Sequence, residues 1–148
     1  EPNEMGAAFG LVQLSNFSDV KAKRIAAYKR MEGIFKNYAN FVRTGIPHPD
    51  GEIIWMHFPF VIEEGAPFSR KDVQTYLELR GIQTRPPFAG NILNQPMMKN
   101  QKFVASDSYE NANDMMKNGI LLGCHQGLSD EQFTHIEEVL ASFFEQYR

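Results

Sequence analysis

The segment Thr84 to Pro96, TRPPFAGNILNQP, carries three prolines in the middle of the chain. A proline ring fixes φ, removes an N–H donor and pushes the residue before it out of the helical region. Neither a helix nor a regular strand can run through this segment, so regular structure must be assembled on either side of it. Its polar residues Arg85, Asn91, Asn94 and Gln95 are interleaved with Phe88, Ile92 and Leu93. That puts hydrogen-bonding and stacking groups on a backbone stiffened by proline, which suits a binding loop, with a purely structural loop as the alternative.

Before this loop the sequence reads as two helices, a strand, a helix and a short extended piece. From Glu4 to about Tyr38 apolar residues recur three or four apart, first Met5, Phe9 and Val12, then Ile25, Tyr28, Met31, Phe35 and Tyr38. Ser15 or Ser18 in LSNFSD can cap the second helix, with Asp19 in its first turn. Gly6, Ala7, Ala8 and Gly10 give the first helix a small-residue face that another backbone can approach closely. The basic residues Lys21, Lys23, Arg24, Lys29 and Arg30 read as the solvated side of the second helix. TGIPHPDGE is a loop, and EIIWMHFPFVIEE is the clearest strand; Pro59 puts that strand at a sheet edge or breaks its ladder. Ser69 and Asp72 open a helix that Gly81 stops, and IQTR is extended.

After the loop, SYENANDMMKNG reads as a helix ended by Asn118-Gly119, ILLG as a short buried strand, and Ser129 with Gln132 as the cap of a last helix. That helix carries Phe133, Ile136, Leu140, Phe143, Phe144 and Tyr147. The order predicts an α/β chain of the two-layer α+β type, a small and mainly antiparallel sheet covered by helices and preceded by two N-terminal helices. We expect one domain over 1–148, with a helical segment over 1–40 and a small α/β unit over 45–148.

The 148 residues, 43% hydrophobic, can bury a core without disulfides or metals. A net charge of -3 with mixed signs offers no footprint for nucleic acid or an anionic membrane surface. The single cysteine, Cys124, excludes an internal disulfide framework and suits a reducing cytoplasm. No apolar run is long enough to span a membrane, and EPNEMGAAFG lacks the features of a signal peptide.

The four histidines lack metal-site spacing: no two stand at i, i+4 on one helix, and His125 follows Cys124 directly. His135 falls on the polar side of the last helix, whereas His57 sits mid-strand, facing either a core or a cleft. No nucleophile elbow, phosphate-binding glycine loop or acid–base dyad is present.

Three stretches, PNEMGAAFGLVQL, IIWMHFPFVIEEGAPFSRKDVQTYLELRGIQTRPPFAGNILNQP and LLGCHQGLSDEQF, resemble in order the C-terminal half of the DegT/DnrJ family. These are sugar-nucleotide aminotransferases and dehydratases that use pyridoxal phosphate. The resemblance implies the small C-terminal domain of the aspartate-aminotransferase fold, and it is closest to the branch acting on nucleotide-linked 4-keto-6-deoxyhexoses. In that family the lysine that holds the cofactor, or the histidine that replaces it, belongs to an N-terminal large domain. None of the lysines here stands in such a context, so the chain is expected to be a truncated product or fragment. Alone it should hold no pyridoxal phosphate and contribute no catalytic residue.

By matching positions, the resemblance implies that Arg85, Phe88, Asn91 and Gln95 face the substrate, with Trp55, His57 and His125 as further candidates. Arg85 would meet a diphosphate or sugar oxygen. The family's habit implies a homodimer with a nucleotide-sugar ligand, and places the N-terminal helix at the dimer interface or at the junction with the large domain. The alternative is a free-standing binding or self-associating protein that keeps the fold without catalysis.

Overall fold

The structure, a computed structural model, describes residues 3–105 and 108–148; Pro2, where the resemblance begins, lies outside them. Helix α1 spans Glu4–Ser15, with Asn3 as its cap: the Asn3 side-chain oxygen accepts from the Gly6 N–H at 2.6 Å. Helix α2 spans Phe17–Phe35. Neither Ser15 nor Ser18 caps it. The joint is Asn16, whose backbone stays in the helical region (φ -90°, ψ -2°) and makes no side-chain cap. A capping residue needs an extended backbone. Ser15, the last residue of α1, instead donates its hydroxyl back to the Val12 carbonyl.

A 3-10 turn over Lys36–Tyr38 leads into a strand that the sequence reading missed, β1 at Val42–Thr44. The remaining strands are β2 (His57–Ile62), β3 (Thr84–Arg85) and β4 (Gly119–Gly123), in the antiparallel order β1-β2-β4-β3. The strand expected from Glu52 begins only at His57. It is central rather than at an edge, and Pro59 interrupts its ladder. Arg43 pairs with Val61, and the Glu63 N–H donates to the Phe41 carbonyl, so the next donor toward β1 would fall on residue 59. Proline has none, and β1 ends at Thr44. Gly45, one residue on, lies against Pro59: a Cβ there would stand 3.3 Å from its ring.

The register sorts side chains onto two faces. Phe58 with Leu122, Phe60 with Ile120 and Thr84 with Leu122 share the core face. On that face Phe35 of α2 lies 4.8 Å from both Phe58 and Phe60. Helix α3 (Arg70–Glu78) and helix α5 (Asp130–Phe144) complete the layer, each opened by the predicted capping box, Ser69 with Asp72 and Ser129 with Gln132. Gly81, at φ +78°, stops α3, and the Ile82 N–H returns to the Leu77 carbonyl. Buried Thr84 is satisfied from α3, donating to Glu78 and accepting from Gln74.

The opposite face presents His57, Pro59, Leu121, Gly123 and Arg85. Helix α4 (Glu110–Asn118) packs on one end of it, where Arg43 binds Glu63 at 3.0 Å and also Asp114. The other end is open. Among the described residues no helix is long and apolar enough to cross a membrane.

Candidate ligand-binding cleft

The open end of the sheet continues into a cleft of about 590 Å³ between the start of β2, the link from α3 to β3, the end of β4 and the first turns of α5. His57, Arg85, His125, Glu131, Gln132 and His135 line it. Strand pairing brings the first two together across β4: His57 stands opposite Gly123, Arg85 opposite Leu121. Gly123 leaves the floor low between them.

Backbone contacts fix the imidazole tautomers. The His125 Nδ1 accepts the Gly127 N–H at 3.1 Å, so Nε2 carries the ring proton and can donate. The His135 Nε2 lies 2.8 Å from the Arg80 carbonyl, which only accepts, so Nε2 donates there and Nδ1 is left as an acceptor. Among the described residues the guanidinium of Arg85 has no carboxylate partner, and its one hydrogen bond is a long one, 3.4 Å, to its neighbour's carbonyl. An exposed, unpaired arginine beside ring donors and acceptors can hold an anionic or hydroxyl-rich ligand. Glu131, at the mouth, is held below the usual carboxylate range by a hydrogen bond from Ser129. Beneath the cleft, burial pushes the Cys124 thiol up to about 11, so it is no nucleophile at ordinary pH.

The sequence candidates divide. Arg85, His57 and His125 meet in the cleft, joined by His135, which the sequence placed on a solvated helix face. The signal was available in the i, i+4 spacing of Glu131 and His135 on one side of α5. Phe88 and Gln95 line a separate, smaller hollow with Pro86, Pro87 and Arg70. Asn91 is buried: its Nδ2 donates to Asn113 at 2.8 Å while its Oδ1 accepts the Leu93 N–H at 3.0 Å. The Gln95 Nε2 donates to the Ala89 carbonyl at 2.9 Å. Both amides tie the proline loop to itself and to α4. Trp55 is half-buried and stacks on Tyr28, with centroids 4.9 Å apart.

Pyridoxal phosphate carries an aldehyde that an amine must meet. No lysine lines the cleft, and among the described residues Lys21 and Lys23 are engaged with Glu52 and Asp19 instead. The residues of this cleft therefore do not fit the cofactor by themselves. Among the described residues no group of three His, Cys, Asp or Glu side chains could hold a metal ion.

The four-stranded antiparallel sheet, its helical layer and the proline loop together define a portion of the aspartate-aminotransferase fold of pyridoxal-phosphate enzymes. A crystal structure of Escherichia coli GDP-4-keto-6-deoxy-D-mannose-3-dehydratase with bound hydrated PLP superposes with a TM-score of 0.85 at 28% identity. It covers 95% of this chain, which spans 36% of that one. The model of the DegT/DnrJ/EryC1/StrS aminotransferase family matches residues 3–141, and the chain belongs to that family. It is 28% identical over 141 residues to the dTDP-4-dehydro-2,6-dideoxy-D-glucose 3-dehydratase of Saccharopolyspora spinosa, covering 95% of this chain and 30% of that protein. A structure of GDP-4-keto-6-deoxymannose-3-dehydratase with bound GDP-perosamine matches at TM-score 0.77 and 27% identity, over 95% of this chain and 36% of that one. The chain thus spans about a third of the length of the relatives it matches.

Proposed function

We propose that this chain is the substrate-facing C-terminal portion, folded as one domain, of a pyridoxal-phosphate enzyme. The enzyme acts on a nucleotide-linked 4-keto-6-deoxyhexose as an aminotransferase or 3-dehydratase, in the biosynthesis of deoxysugars or surface polysaccharide. The observation that carries this reading is the convergence of unpaired Arg85 with His57 and His125 in one open cleft of a chain whose relatives act on GDP- or dTDP-linked sugars. In such an enzyme pyridoxal phosphate, held by another portion of it, would supply the electron sink for the chemistry at the keto carbon and its neighbour. The residues here bind and orient: Arg85 takes the diphosphate, and the imidazoles meet sugar hydroxyls, His125 as donor and His135 as acceptor. Asn91 and Gln95 hold the loop that places Arg85 and Phe88. Trp55 steadies α2 against the start of β2 through Tyr28.

In this reading the amine that meets the cofactor comes from another part of the enzyme, which works in the cytoplasm as a homodimer. The exposed apolar residues of α1 cover a neighbouring domain or subunit. The test is calorimetry of the chain with GDP- and dTDP-linked 4-keto-6-deoxyhexoses. Measurable binding that Arg85→Ala abolishes is expected, with no lysine-bound absorbance band on adding pyridoxal phosphate. No binding at millimolar ligand, or such a band lost on lysine mutation, overturns it.

A further inference from the structure

The basic residues of α2 do not share one solvated face. Lys21, Arg24, Tyr28, Met31 and Phe35 follow one another three or four positions apart and so lie on one stripe. Tyr28, Met31 and Phe35 are buried in the core, and the two charged residues extend the stripe past its edge. Each reaches a distant segment. Lys21 pairs with Glu52, before β2, while the Arg24 Nε donates to the Gln126 Oε1 at 2.9 Å, after β4. Arg30 binds Asp130 at the first position of α5 and sits 4.4 Å from the centre of the Phe133 ring. Lys23, by contrast, pairs within its own helix, with Asp19.

Two of these residues, Arg24 and Arg30, thus grip the turn between β4 and α5, the segment that carries His125. Side chains alternate along it: Gly123 and His125 line the cleft, Cys124 is buried, and Gln126 meets Arg24. The turn holds His125 through its backbone. The Gly127 N–H donates to the His125 Nδ1 at 3.1 Å, and the Leu128 N–H to the His125 carbonyl at 3.3 Å. Both bonds follow from the course of the chain through Gln126, whose one side-chain partner among the described residues is Arg24. The turn is exposed and Gly127 adds backbone freedom, so a fixed imidazole there needs an anchor from outside it.

We propose that Arg24 is a positioning residue of the cleft: through Gln126 it fixes the turn after β4 and so keeps His125 as an Nε2–H donor facing the cleft. The sugar-nucleotide reading above enters only in what His125 meets; the hold on the ring needs no ligand.

The imidazole nitrogens of the full chain, followed by long-range nitrogen–proton NMR at a pH where the ring is neutral, test it. In the parent His125 should be almost wholly the Nε2–H tautomer. Arg24→Ala and Gln126→Ala should each move it toward the mixture of a free imidazole, by the same amount, and the double variant should go no further. Arg24→Lys, which keeps a donor, should restore the parent signature, and Lys23→Ala should leave it unchanged. Thermal midpoints should hardly move, because Gln126 is exposed. Calorimetry with a GDP-linked 4-keto-6-deoxyhexose should show about a fivefold loss in Gln126→Ala, the worth of one hydrogen bond. The proposal is overturned if Gln126→Ala leaves the ring nitrogens as in the parent, which would reduce any effect of Arg24→Ala to its charge. It is equally overturned if the midpoints fall while the nitrogens stay. Shifted nitrogens with unchanged affinity uphold the positioning and overturn the donor role given to His125 above; absence of sugar-nucleotide binding in the parent overturns that reading alone.

Discussion

Helices α1 and α5 are both rich in apolar residues, and they meet opposite fates. Six side chains of α5, among them Leu140 and Phe144, are buried. α1 buries none, although it carries Met5, Phe9, Leu11, Val12 and Leu14. In α5 the apolar residues fall on one stripe, the rest of the helix is charged or polar, and the stripe meets the sheet. In α1, Leu11 and Leu14 lie off the stripe of Met5, Phe9 and Val12, so at 3.6 residues per turn apolar groups face several directions. A one-sided stripe needs one neighbour, and this chain supplies it. An all-round apolar helix needs more than one, and nothing in the described residues supplies them.

Leucine truncation tests that contrast hardest. Leu140 is wholly buried, so Leu140→Ala should cost about 2–5 kcal/mol, a large share of the stability of a domain this size. Leu11, 69% exposed, should cost nothing measurable in the chain alone. Urea denaturation checks both: the midpoint falls for the first at unchanged slope and stays for the second. If Leu11→Ala destabilises comparably, α1 is buried in solution, as in a self-associated form, and the two helices do not differ as described.

The caps give a smaller test of the same kind. Ser129 accepts from the Gln132 N–H at the start of α5, and Asn3 from the Gly6 N–H at the start of α1. Ser129→Ala should lower global stability by about 1 kcal/mol, since α5 unfolds only with the core. Asn3→Ala should leave the global transition in place and only speed amide exchange in the first turn of α1. Equal shifts of the transition would mean that α1 is part of the cooperative unit.

What the sequence disclosed follows the same division between local and distant causes. Both capping boxes, the glycine stop at Gly81 and strand β4 are written in residues a few positions apart, and they form as expected. β1 escaped because three residues, Val42–Thr44, carry too little alternation; its pairing is set by β2, and its end by Pro59 across the ladder. The contact of Asn91 with Asn113 is not legible in the sequence, because the two are 22 residues apart and only the fold brings them together. The convergence of Arg85, His57 and His125 with His135 depends on strand register and on where α5 begins, which no short stretch of sequence states. α1 was legible as a helix while its neighbours were not, since a stripe states that a surface must be covered without stating by what.

The smallest effect expected is electrostatic, at the first turn of α5. The Ser129 hydrogen bond holds Glu131 below the ordinary carboxylate range. A carboxylate whose folded value is depressed adds stability that is present above its unfolded value and lost as pH falls through the folded one. Glu131 is fully exposed, so the effect is slight and is better read by its own NMR titration than by unfolding. Its midpoint should lie below that of an ordinary glutamate and rise toward it in Ser129→Ala, which removes the donor. In Asn3→Ala, which removes the cap of a different helix, the Glu131 midpoint should not move. A midpoint unchanged by loss of the Ser129 hydroxyl would assign the depression to the exposed N–H groups of the helix end instead, and the cap would then matter for stability alone.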